Sequence, residues 1–299
     1  MMGGLSMRMF LLMLLPLLLL TVRAEQKTLD MSANAVDDVF SGCRDRMLRA
    51  VTEPGGVLER EIRVRGDFSE MWRVSGRTCE KQIHGGTQHH LSALHSYGNS
   101  GVNFRKKFNR MVQTNGTNAT TYSQFPYKSL HFLLTDAMRL LNDRNASCRH
   151  VYFGTNLRYS AQTGKEIRFG RFLHPRTQKS SEIEAAGSGE GEGTLFDITS
   201  CSVVNVEDYT CFSDEVEQLI SPTEVFTVEN VQLVKSDDGD YRTITLSHSR
   251  FLSNHDCYLF HSSDSSPDGS SAPSLTPWIL VLLGPLLLAG LLTEPLLQI

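Results

Sequence analysis

Two carboxylates separated by one residue stand in the stretch Asp214-Glu215-Val216-Glu217-Gln218-Leu219-Ile220-Ser221-Pro222. In an extended strand residues i and i+2 face the same side, so Glu215 and Glu217 are expected to project into one space. Carboxylates side by side repel each other, which raises one pKa and suits acid/base work. The plain alternative is an acidic, solvated strand edge. Gln88-His89-His90 and His95 form a second cluster. Two histidines at i and i+4 on a helix could hold zinc. Here the spacing is wrong, His89 and His90 point apart, and they read as solvated helix-face residues with no metal expected. Neither Gly-x-Ser-x-Gly nor Cys-x-x-Cys occurs, so the chain carries no nucleophile elbow and no dithiol redox motif. The glycine-rich run Gly187–Gly193 has no Lys-Ser/Thr close and no helix after it. It reads as part of a mobile polar surface loop, Thr177 to Gly193, rather than a phosphate cradle.

The elements that must position these residues divide the chain in two. The first half reads as helices. Asp37-Asp38 precede an apolar-periodic run that stops at Pro54-Gly55-Gly56, and His89–Tyr97 and Val102–Val112 are helix-like stretches. The strongest helix signal is Lys128–Leu141, where Leu130, Leu133, Leu134, Ala137, Leu140 and Leu141 fall on one face. The second half reads as strands: Val151–Phe153, Ile167–Phe172, Thr194–Ile198, and a hairpin from Val225 to Leu246 around Asp237-Asp238-Gly239. Helices first and strands second predict an α+β domain.

The chain has 299 residues and a net charge of −4 from 33 acidic and 29 basic side chains. That balance argues against a nucleic-acid partner. Residues 1–24 carry a basic Met7-Arg8, a short apolar run and small residues at Val22 and Ala24, the form of a secretory signal cut after Ala24. Residues 25–261 are the expected ectodomain, 262–277 a polar spacer rich in small residues, and 278–299 an apolar tail. No Lys or Arg follows Arg250, so the tail reads as a lipid-anchor signal, with Gly269-Ser270-Ser271 or Ser262–Ser266 as the attachment region. The alternative is a short tail anchor. All six cysteines (Cys43, Cys79, Cys148, Cys201, Cys211 and Cys257) lie between the apolar ends, which predicts an oxidised, extracellular fold. Asn115, Asn118 and Asn145 each begin a glycan acceptor pattern.

Six blocks, in order, resemble the vertebrate ecto-mono-ADP-ribosyltransferases, glycolipid-anchored enzymes that move ADP-ribose from NAD to arginine. They are Asp37-Asp38 with Gly42-Cys43, Lys128–Thr135, Cys148–Gly154, Gly164–Gly170, Gly193–Cys201 and Glu215–Phe226. The resemblance spans about Asp37 to Phe260 and both processing signals. It implies NAD as co-substrate with no metal, arginine-bearing protein acceptors, attachment to the membrane through a lipid, and a place on the outer face of the plasma membrane. It also implies pairing of Cys43 with Cys257 and of Cys148 with Cys201, leaving Cys79 and Cys211 as a third bridge or free thiols. The family's catalytic Glu-x-Glu maps onto Glu215 and Glu217. The second glutamate steadies the oxocarbenium-like ribose as nicotinamide leaves, and the first reads the acceptor guanidinium. Two motif positions depart. The family's NAD-gripping Arg is Phe153, and its Ser is His174. Arg171, Phe172 and Tyr97 fall where NAD contacts are expected, and Arg171, Arg158 or His174 is a candidate replacement cation. The implied activity is arginine-specific mono-ADP-ribosyl transfer. The alternatives are a catalytically silent surface binding protein and an NAD glycohydrolase.

Overall fold

The computed structural model describes residues 26–64, 66–75, 81–142, 147–188, 192–210, 215–236 and 239–261. The signal segment 1–24, the spacer 262–277, the tail 278–299, Cys79, Cys211, Asn145 and the turn residues Asp237-Asp238 lie outside the described residues. Among the described residues no helix is long and apolar enough to cross a membrane.

The chain begins with strand β1 (Gln26–Thr28) and then runs through helices α1 (Arg44–Thr52), α2 (Val57–Arg63), α3 (Asp67–Val74), α4 (Gln88–Gly98), α5 (Gly101–Thr114), α6 (Ala119–Ser123) and α7 (Lys128–Leu141). The second half contains β2 (Arg149–Thr155), β3 (Arg158–Ser160), β4 (Glu166–Arg168), α8 (Lys179–Gly187), β5 (Gly193–Ser200), β6 (Val204–Asn205), β7 (Gln218–Leu219), β8 (Glu224–Val234), β9 (Tyr241–Phe251) and the short α9 (Tyr258–His261). The division into a helical part and a strand-rich part is the α+β arrangement that the order of elements implies. The main sheet has the order β2-β5-β9-β8-β4, with β5 and β9 parallel and the other neighbours antiparallel.

Helix α7 occupies the stretch with the strongest apolar periodicity, and Leu130, Leu133, Leu134 and Ala137 have no exposed surface. They pack with Met47, Phe108 and Phe132 in the helical core. A second core lies on the sheet, around Val151, Phe196, Phe226 and Ile244. The Thr177–Gly193 loop expectation is corrected: Lys179–Gly187 is helical. Its weak apolar pattern hides the helix from sequence reading. What fixes α8 is contact with β2, where Gly154 N donates to Glu182 Oε2 at 2.6 Å. A Cβ on Gly154 would lie 1.9 Å from the Glu182 carbonyl oxygen, so only glycine allows the helix this close.

Two adjacent aspartates join the ends of the domain. Asp37 accepts from Arg168 Nη1 at 2.7 Å, Asn254 Nδ2 at 2.8 Å and His255 Nδ1 at 2.9 Å. Asp38 accepts from the backbone N–H groups of Phe40, Cys257 and Tyr258. Cys43 is bonded to Cys257 beside this clamp, and Cys148 to Cys201 at the start of β2. Asp37 and Asp38 therefore act as buried hubs ahead of α1 rather than as its capping residues. Of the glycan acceptors, Asn118 is exposed and caps α6 through Oδ1, which accepts from Thr121 N at 3.0 Å. Asn115 instead commits Nδ2, the atom a glycan would take, to Thr121 O at 3.0 Å.

Candidate active site

Short backbone bridges bring three distant segments together. Tyr152 on β2 exchanges two hydrogen bonds with Arg176, each 2.8 Å, and Leu173 exchanges two with Ile220, at 3.2 and 2.9 Å. Residues 172–177 are thereby stitched to β2 on one side and to the segment after Glu217 on the other. Val206 N holds the Glu217 carbonyl at 2.9 Å. This stitching places Phe153, His174, Glu215 and Glu217 around one site, although they are far apart in the chain.

The Phe153 ring stands edge-on to His174, with centroids 5.5 Å apart, and stacks on Phe196 at 6.1 Å. Burial pushes the His174 imidazole down to about 4, and the nearby guanidiniums of Arg105 and Arg171 push the same way. His174 is therefore neutral at physiological pH and cannot supply the missing cation. The positive charge at this spot comes from the two arginines. Arg171 Nη2 donates to the Tyr159 hydroxyl at 3.4 Å. Arg105 Nη2 donates to Glu215, and Arg105 Nη1 donates to the Gly98 carbonyl at 3.1 Å. The Nε atoms of both are buried without a partner among the described residues. Arg158 pairs with Glu192 at 3.5 Å, a carboxylate it shares with Arg242.

Glu215 and Glu217 are not in a strand, which corrects the expectation from spacing. They lie in a bend just before β7, with buried Val216 between them. They also reach different partners rather than each other. Glu215, exposed, meets Arg105. Glu217, half-buried, accepts from Thr177 Oγ1 at 2.7 Å and from Gln218 Nε2 at 3.3 Å. A third carboxylate stands near Glu217. Glu182 on α8 is buried, and burial raises its pKa, with the Glu217 charge adding to the effect.

Tyr97 and Phe172, expected at the NAD contacts, lie in the buried layer beneath His174. Tyr97 has no exposed surface and Phe172 almost none. The Tyr97 hydroxyl donates to the Phe172 carbonyl at 3.3 Å and accepts from Asn109 Nδ2 at 3.0 Å, and burial pushes its pKa up to about 12. Asn109 also accepts from Phe172 N at 3.1 Å. These contacts fix residue 172 and so the approach of His174. The solvated reading of the histidines is corrected as well. His90 is buried against Asp136 at 2.9 Å, and its Nδ1 contacts Thr87 Oγ1 at 2.9 Å. Cys201, Glu224 and His248 come together, but the Cys201 sulfur is in a disulfide. Buried Glu224 instead takes hydrogen bonds from Ser200, Cys201 N, Ser202 and His248.

Sequence reasoning missed Arg105, Thr177 and Glu182. Arg105 had a signal: with Phe108, Asn109 and Val112 it forms an i, i+3, i+4, i+7 set, all buried. Thr177 and Glu182 had none, because the bridges that bring them in are non-local.

Residues 29–250 match the family described as NAD:arginine ADP-ribosyltransferase. The chain is 30% identical over 275 residues to the T-cell ecto-ADP-ribosyltransferase 1 of Mus musculus, covering 89% of this chain and 91% of that one. It is 31% identical over 227 residues to the GPI-linked NAD(P)(+)--arginine ADP-ribosyltransferase 1 of Oryctolagus cuniculus, covering 69% and 67%. The fold is similar to the crystal structure of the mono-ADP-ribosyltransferase ART2.2, with a TM-score of 0.63 at 27% identity over 77% of this chain and 98% of that one. A variant of that enzyme solved in complex with NAD gives 0.60 at 26% over the same shares.

Proposed function

The chain belongs to the NAD:arginine ADP-ribosyltransferase family, and on that premise we propose that it is a cell-surface mono-ADP-ribosyltransferase acting from NAD on protein arginine. The observation that carries this reading is the placement of Glu217 at the site, held by Thr177 at 2.7 Å, with Glu215 two residues away. In the proposed reaction the bond between the ribose C1″ and the nicotinamide nitrogen breaks, and nicotinamide leaves with the bonding pair. The Glu217 carboxylate faces the cationic ribose that forms. A guanidinium nitrogen of the acceptor then bonds to C1″, and its proton passes to Glu215.

The NAD grip differs from the motif pattern. Phe153 offers a ring and no donor, so the phosphate-facing charge falls to Arg171, whose Nε is buried and unpartnered among the described residues. Tyr97 and Phe172 support this site from beneath. Residues 1–24 are assigned as a removed signal, 25–261 as the transferase domain, 262–277 as the attachment spacer and 278–299 as a removed tail. The GPI-linked rabbit relative supports the lipid anchor. Glycosylation is assigned to Asn118 ahead of Asn115, because the amide nitrogen of Asn115 is already engaged.

The test is nicotinamide release from NAD and ADP-ribose transfer to agmatine, a small guanidinium acceptor, by the purified protein. Loss of both in Glu217→Gln, with the fold intact, is the expected result. A parent protein that neither binds nor turns over NAD refutes the reading. Release from cells by phosphatidylinositol-specific phospholipase tests the anchor.

A further inference from the structure

We propose that Arg105 is an internal occupant of the acceptor subsite: its guanidinium sits on Glu215 where a substrate guanidinium would sit, so arginine acceptors must displace it. The proposal rests on reading Glu215 as the carboxylate that faces the acceptor. The two partners differ in setting. The Arg105 side chain is 4% exposed and that of Glu215 is 54% exposed. A buried cation on α5 thus reaches out to an accessible carboxylate, unlike the usual pair of solvated surface charges. Its anchorage is specific, since Nη1 donates to the carbonyl of Gly98 at the end of α4 at 3.1 Å while Nη2 takes Glu215 Oε2. Burial of the Arg105 side chain, at 4% exposed, limits the positions its stem can take.

The consequence is a bias in acceptor choice. An external guanidinium loses translational and rotational freedom on binding, whereas Arg105 is already in place. With Oε2 engaged, an incoming guanidinium finds one oxygen of Glu215 without a hydrogen bond among the described residues, instead of the pair needed for a two-pronged fork. Water needs only one oxygen. In that branch the C1″–nicotinamide bond breaks, nicotinamide leaves with the electron pair, water oxygen bonds to C1″, and its proton passes to Glu215 Oε1. Arg105 is thereby a specificity-determining residue that favours hydrolysis over transfer.

The experiment titrates agmatine into the purified full-length chain in detergent, by calorimetry, for the parent, Arg105→Met, Arg105→Lys and the double variant Arg105→Met with Glu215→Gln. Thermal melts establish that each is folded. Arg105→Met is expected to bind agmatine about tenfold or more tighter than the parent. The double variant is expected to lose that gain. Arg105→Lys, which keeps a charge but not the planar fork, falls between and serves if the methionine variant does not fold. Equal agmatine affinity in the parent and the Arg105 variants overturns the proposal, as does a gain that survives Glu215→Gln. NAD turnover is measured separately. A parent that releases no nicotinamide while Arg105→Met gains agmatine binding sinks the transferase reading and leaves the assignment of Arg105 standing.

Discussion

Replacing Thr177 by valine deletes one hydrogen-bond donor and changes little else, which isolates what the donor does for Glu217. Thr177 Oγ1 sits 2.7 Å from Glu217 Oε1, and the other described donor, Gln218 Nε2, is longer at 3.3 Å. A hydrogen bond to a charged carboxylate contributes about 1.5–3 kcal/mol. Thr177 is exposed, so solvent competes and a value below that range, about 1 kcal/mol, is the better figure. Spent on orienting the carboxylate against a forming cation, that amounts to about a fivefold fall in kcat. Glu217→Gln, which removes the whole charge, should cost about 10²–10³-fold or more. Thr177 bonds the carboxylate rather than the co-substrate, so KM for NAD should hold while kcat falls. The assay is steady-state nicotinamide release over a range of NAD concentrations, with Thr177→Ser as the rescue that restores the hydroxyl. Parental kcat in Thr177→Val, a loss confined to KM, or a serine variant as impaired as valine would each refute the reasoning.

Three further outcomes are expected. Arg168, fully buried, donates to Asp37 and to the carbonyls of Met31, Ser32 and Leu252. Arg168→Met should therefore cost about 3–5 kcal/mol in urea unfolding, and a loss under about 1 kcal/mol would show that the clamp matters little. The disulfides close separations of 214 and 53 residues. On the chain-entropy relation they contribute about 5 and about 4 kcal/mol, so removing Cys43–Cys257 should destabilise at least as much as removing Cys148–Cys201; the reverse order in urea unfolding would count against that relation here. Finally, burial holds His131 and His174 down to about 4 against an ordinary 6.5, so the unfolded chain takes up protons between those values that the folded chain does not, and stability falls as pH drops through that window. Glu61, pushed up by burial to about 7 from 4.5, has the opposite sign and loses stability as pH rises from 4.5 to 7. Thermal melts across pH should show His131→Leu flattening the acid-side loss and Glu61→Gln the other; unchanged slopes would disprove the assignment.

The sequence showed the elements whose stability is local. Lys128–Leu141 is read to the residue because its apolar face alone defines it, and the β8–β9 hairpin follows from two apolar runs around a turn. Glu215 and Glu217 were found, but their partners were not. Strand alternation places them on one side, whereas the bend before β7 sends one to Arg105 and the other to Thr177. Helix α8 was lost because its signal lies in Gly154, on a different element, and not in its own composition. His174 was legible as a substitution and not as a neutral imidazole, since its protonation state depends first on burial and then on Arg105 and Arg171, all set by elements distant in the chain.

The clamp at the ends of the domain also decides how the protein carries mechanical load. A pull on the chain beyond His261 reaches Cys257 after the single turn of α9 and passes through a covalent bond to Cys43, just ahead of α1. The tension enters the helical part without first running along β9 or peeling it from β5 and β8. Asp38 reinforces this route, since the N–H groups of Cys257 and Tyr258 both rest on its carboxylate. Tension applied at His261 would load the disulfide first. The bend that holds Glu215 and Glu217, between β6 and β7, lies off that line of force and would keep its geometry under tension.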